Sequence, residues 1–137
     1  MTAVKGSILG NAVLRREDPT LLTGEDDYFD DMEIDGLGFV YFARSPVAHA
    51  NINSIDTEEA KNIDGVVGVW TGDDLELEPF LSFPMFPPLF ARPPLAKGKV
   101  RLVGDIIAVV VADSFAAAAD AASAIWMDFD PLPAVTD

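Results

Sequence analysis

From position 37 onward, apolar and polar residues fall into two blocks with the same succession of periods. Residues 37–43 are rich in β-branched and aromatic side chains and predict a strand. Ser45-Pro46 turns the chain. Residues 48–55 alternate, with Ala48, Ala50 and Ile52 apolar and Ile55 out of phase, which predicts a second strand. Asp56-Thr57-Glu58-Glu59 starts a helix, with Asp56 placed to accept from free amides and Glu59 to reach back. That helix is short and stops near Asp64-Gly65, where Gly65 suits a left-handed position. A strand over 66–71 follows, so 48–71 reads as a strand–helix–strand unit. The second unit is stronger. Residues 106–112 (IIAVVVA) form an unbroken apolar run, typical of a strand covered on both faces. Asp113-Ser114 cap a helix over about 115–125, with Phe115, Ala119, Ala122 and Trp126 on one stripe. A short strand over 126–130 ends at Pro131 and Pro133.

Two regions depart from this pattern. Residues 17–35 carry nine acids and no base, broken up by Pro19, Gly24 and Gly36 just beyond. They read as an extended, surface-wrapping segment pinned by Leu21, Leu22, Tyr28 and Phe29. Residues 79–95 hold six of the ten prolines and four of the nine phenylalanines. Proline excludes helix and central strand there, and a loop of this length is functional or lies against something apolar. Phe83, Phe86, Phe90, Arg92 and, at the earlier turn, Arg44 are the candidate interface residues. The division is a segment over 1–36, then one domain over 37–137 carrying the 79–95 loop.

Composition narrows the chemistry. The 137 residues fit one ordinary domain, and half of them are hydrophobic, enough for a core. Acids outnumber bases 23 to 9, which disfavours nucleic acid and anionic membranes as partners. The apolar run at 106–112 is too short to cross a bilayer, and no small-residue cleavage site follows the broken apolar N-terminus, so a cytoplasmic location is expected. With no cysteine and a single histidine, His49, the chain offers no thiolate and no multi-histidine metal site. Asp31-x-Glu33-x-Asp35-Gly36 begins like a calcium loop, but its twelfth position is Phe42 where a bidentate Glu is required. The glycines of Gly6–Gly10 lack the strand, lysine and helix of a phosphate loop. Ser45 and His49 allow a small hydrolase in principle, yet no nucleophile elbow is present and a structural histidine fits better. No catalytic, cofactor-binding or metal-binding residue is assigned.

The order of short motifs carries further. Leu14-Arg15-Arg16-Glu17-Asp18, Leu21-Leu22-Thr23-Gly24, Arg44-Ser45-Pro46-Val47-Ala48-His49-Ala50, Val69-Trp70-Thr71-Gly72-Asp73-Asp74-Leu75, Arg92-Pro93-Pro94-Leu95-Ala96, Lys99-Val100-Arg101-Leu102-Val103-Gly104-Asp105 and Leu132-Pro133-Ala134-Val135 follow one another along essentially the whole chain. In that order they resemble the N-terminal α/β-hammerhead domain of molybdenum hydroxylase large subunits, the xanthine dehydrogenase, aldehyde oxidase and aerobic carbon monoxide dehydrogenase group. The resemblance implies an α/β fold, with a mixed sheet and two strand–helix–strand units. That family commonly has Gly-Glu where this chain has Gly104-Asp105, a shortened variant.

The resemblance also implies an oxidoreductase. The complete enzyme, by that resemblance, carries molybdopterin, passes electrons to iron–sulfur clusters and often FAD, and oxidises an aldehyde, purine, N-heterocycle or CO. The residues that hold molybdenum belong to later domains, so this chain alone is expected to be inactive. Its expected role is assembly with the molybdopterin-binding domains and the Fe–S and FAD subunits. The alternative is a stand-alone binding module that reuses the fold.

Overall fold

A computed structural model describes residues 14–135 apart from 27, 30, 31, 33, 82 and 84. The glycine pair at 6–10 and two acids of the calcium-like run, Asp31 and Glu33, lie outside the described residues. The chain divides into two compact units, Met1–Asp35 and Gly36–Asp137.

In the first unit, Asp18–Thr23 forms a short helix, α1, where an extended segment was expected. Pro19 sits in its first turn beside the acid Asp18, and Gly24 closes it at φ +71°. That is proline at the start and glycine at the end, each where it costs least. Leu22, Tyr28 and Phe29 stand largely exposed, so they are not the pins that the sequence suggested.

The second unit contains β1 (Phe39–Arg44), β2 (Ala50–Asp56), α2 (Glu58–Lys61), β3 (Val66–Thr71), a 3-10 turn (Pro88–Phe90), β4 (Lys99–Val100), β5 (Ile106–Ala112), α3 (Phe115–Ala124) and β6 (Trp126–Pro131). Two three-stranded sheets result, in the orders β1-β5-β3 and β4-β2-β6. The α/β class stands, but every ladder is antiparallel, so the expected mixed sheet resolves into two antiparallel sheets. Both strand–helix–strand units exist, and each crosses from one sheet to the other. Residues 57–65 alone separate β2 from β3, fewer than the dozen or so that a parallel crossover needs. After β5, both edges of that strand are already taken by β1 and β3, so β6 pairs with β2 instead.

The main core lies between α3 and one face of the β1-β5-β3 sheet. Ala118, Ala121, Ala122 and Ile125 pack on Ala108, Val110 and Ala112 of β5, with Ala43 and Val69 beside them. The expected stripe through Phe115 and Trp126 is wrong, because both are exposed, at 59% and 70%. Alanines face the sheet because a helix approaches most closely through small side chains, and bulky rings are left at the rim. Ser114 caps α3, its hydroxyl accepting from Ala117 N–H at 3.3 Å. A second cluster, Ala50, Ala96, Val100 and Ile107, is bordered by Ile55 and Met127, which also border the first.

Gly65 adopts φ +86°, and its carbonyl accepts from Asp113 N–H at 2.9 Å. This ties the turn before β3 to the residue that follows β5. A Cβ there would meet the Asp113 carboxylate as well as strained backbone.

Candidate functional site

The first strand ends in a hinge built from local hydrogen bonds. Ser45 is buried, and its hydroxyl both donates to Val47 O at 2.7 Å and accepts from Val47 N–H at 3.2 Å. His49 Nδ1 lies 2.7 Å from Pro133 O, close to the last described residues. Serine and histidine thus have separate partners, and no hydrogen bond joins them among the described residues. This arrangement positions loops and does not activate a nucleophile.

Asp105 shows what the shortened Gly-Asp pair does. Its carboxylate accepts from the backbone N–H groups of Arg101 and Leu102 at 2.6 and 3.1 Å, clasping the turn before β5. A similar clasp lies after β3. Asp74 accepts from the N–H and the hydroxyl of Thr71, both at 2.7 Å. The backbone bond first, then the hydroxyl bond, and then nearby Lys61 hold the Asp74 carboxyl below its usual range.

The proline-rich region is more ordered than its composition suggests. Phe80 and Arg92 form an antiparallel bridge, each N–H donating to the other's carbonyl at 3.0 Å. They close a lobe in which the Phe83, Phe86 and Phe90 rings form a row, with centroids 6.1 and 5.6 Å apart. The three rings remain more than half exposed. Arg44 lies 5.7 Å from the Phe42 ring centroid and donates to Gly104 O at 3.0 Å. Arg44 and Arg92 line one open cleft of about 310 Å³, apart from the phenylalanine row.

A second apolar surface escaped the sequence reading. Tyr41 and Ala43 point toward α3, the Tyr41 ring meeting Phe115 edge-on at 5.4 Å. Strand alternation therefore sends Val40 and Phe42 to the opposite face. Register places Val40 beside Val111 and Phe42 beside Val109, which in turn lies beside Trp70. This row is apolar throughout. Val40 and Phe42 are 49% and 40% exposed, and Trp70, Val109 and Val111 are half-buried. At the other end of the same face, Ile107 is fully covered by the second cluster. The signal was available: 106–112 is apolar at every position, yet only one helix follows to cover it.

Among the described residues, no group of three His, Cys, Asp or Glu side chains is placed to hold a metal ion. The sequence has no thiolate to ligate an iron–sulfur cluster. No helix among the described residues is long and apolar enough to cross a membrane.

Comparison with known proteins agrees with this picture. Residues 23–133 match the family model described as "Aldehyde oxidase and xanthine dehydrogenase, a/b hammerhead domain". The nicotine 6-hydroxylase large subunit of Paenarthrobacter nicotinovorans is 39% identical over 96% of this chain and 16% of that relative. The carbon monoxide dehydrogenase large chain of Afipia carboxidovorans is 38% identical over 90% of this chain and 15% of its own length. The crystal structure of quinoline 2-oxidoreductase from Pseudomonas putida 86 superposes with a TM-score of 0.79 at 42% identity, over 98% of this chain and 18% of that one. The chain therefore spans about a sixth of the length of these relatives.

Proposed function

The chain belongs to the aldehyde oxidase and xanthine dehydrogenase a/b hammerhead domain family, and from that premise we propose that it serves as an assembly domain of a molybdopterin-dependent hydroxylase. The complete enzyme, on this reading, oxidises an aldehyde, purine, N-heterocycle or CO, with molybdopterin as its cofactor and iron–sulfur and FAD partners to carry electrons away. Molybdopterin, when bound elsewhere in that enzyme, supplies the oxidising centre. No residue of this chain is assigned to hold it, and no reaction step is routed through this chain. Residues 37–137 act as the domain proper and 1–36 as its leading segment, in a cytoplasmic enzyme.

The open row of the β1-β5-β3 sheet carries this reading. A central strand apolar on both faces, with a helix on only one, needs a second cover. Relatives about six times longer have the polypeptide to supply it. The row of Val40, Phe42, Trp70, Val109 and Val111 packs against the remainder of the large subunit, and Arg44, Phe83, Phe86, Phe90 and Arg92 add further contacts at the rim.

An antibody raised against the chain tests this in the native cell. The expected catch is a much larger polypeptide, or a complex containing one, with molybdenum by elemental analysis. Recovery of only a free 14.7 kDa species without molybdenum would favour a stand-alone module.

A further inference from the structure

The chain has 23 acids and 9 bases, yet four of those bases, Arg44, Arg92, Lys99 and Arg101, line one open cleft of about 310 Å³. Ion pairs among the described residues are Arg15–Asp18, Lys61–Glu58 and Lys97–Asp73, and none of them uses the cleft bases. Asp105 is the single acid in the lining, and its carboxylate is already engaged by the N–H groups of Arg101 and Leu102. Among the described residues these four bases form no ion pair, and Asp105 is the one carboxylate beside them, in a protein rich in carboxylates. Their backbones are fixed: Arg92 by its bridge to Phe80, Arg101 by the Asp105 clasp and Lys99 by pairing with Asn51 in β4–β2. Arg44 is fixed through its own side chain on Gly104 O.

We propose that this cleft receives an acidic polypeptide segment, one presenting two or more carboxylates at a spacing that spans the four bases. The rim favours a peptide over a small inorganic anion. Phe80, Pro93, Pro94 and Leu102 contribute apolar surface suited to side-chain methylenes and backbone. The cleft is open and is lined by four bases on long side chains, which suits an extended chain of several carboxylates. The surrounding negative charge of the chain repels acidic partners elsewhere, so attraction at this cleft selects the docking position as well as strengthening it.

The test is a titration of the 137-residue chain with a hexaglutamate peptide, followed by NMR shifts of residues 92–105, with inorganic phosphate in a parallel arm. The proposal expects saturable shifts with the peptide that weaken as salt rises. It also expects about tenfold weaker binding for the Arg92→Gln/Arg101→Gln pair and unchanged binding for Lys61→Gln outside the cleft. Because Arg44 holds Gly104, the pair spares Arg44 and the variants keep the fold. No saturable peptide binding, equal binding by the cleft pair, or shifts produced by phosphate but not by the peptide would each overturn it. Failure here leaves the family reading intact, since the titration uses the chain alone.

Discussion

The two faces of the β1-β5-β3 sheet have similar apolar content and opposite surroundings. Toward α3, Ala108, Val110, Ala112, Ala118 and Ala121 are fully buried, and the contact is made by small side chains. On the other face, Val40 and Phe42 keep between two-fifths and half of their surface in water, although Phe42 is larger than any of those five buried residues. Size therefore does not decide what is buried in this domain; the presence of a cover does. The covered face supplies stability to the isolated chain, and the open face is the one we propose as a contact surface.

The contrast can be broken most strongly from the covered side. Ile125→Ala removes a side chain 7% exposed at the end of α3 and is expected to cost about 2–5 kcal/mol in urea unfolding. Ala121→Leu overfills the close helix–sheet contact and is expected to cost about 1–3 kcal/mol. Ser114→Ala frees Ala117 N–H at the cap of α3, with an expected loss of about 1 kcal/mol. On the open face, Val40→Thr keeps the β-branch and is expected to change the chain's stability by no more than about 0.5 kcal/mol. A loss there equal to that of Ile125→Ala would mean the two faces are alike.

The smallest effect lies at the end of β3. Asp74 has a lowered pKa in the folded chain, so it binds fewer protons there than in the unfolded chain. Its contribution is fully present above the ordinary aspartate value of about 4 and is lost as pH falls through the lower folded value. Asp74→Asn should flatten the acid limb of the stability curve in that window and leave the rest of the pH range parallel to the parent. An unchanged acid limb would show that the Thr71 clasp contributes nothing.

Much of this architecture was legible in local pattern. The strands over 66–71 and 106–112 have the boundaries expected from their apolar runs, and Ser114 caps the helix expected after it. Strand pairing was not legible. Alternation says which residues share a face, but not which of two sheets a strand joins, and that choice rests on connection length and on which edges are already occupied. The helix stripe was misread because Phe115 and Trp126 outweigh alanines in any hydrophobic count, while close packing favours the alanines. The exposed apolar side chains were legible only in part. Phe83, Phe86 and Phe90 stand out by composition, whereas Val40 and Phe42 look like ordinary strand residues until their exposure is seen. Arg44 and Arg92 look like isolated bases in the sequence, and folding brings Lys99 and Arg101 to the cleft they line.

The most direct test introduces Val40→Lys together with Phe42→Lys into the polypeptide as the native cell makes it, and compares two quantities. One is the melting of the 137-residue chain carrying the same changes, and the other is recovery of the molybdenum-containing assembly. The account predicts a chain that still folds and an assembly that no longer forms. Undiminished recovery of the assembly with both lysines in place would contradict it.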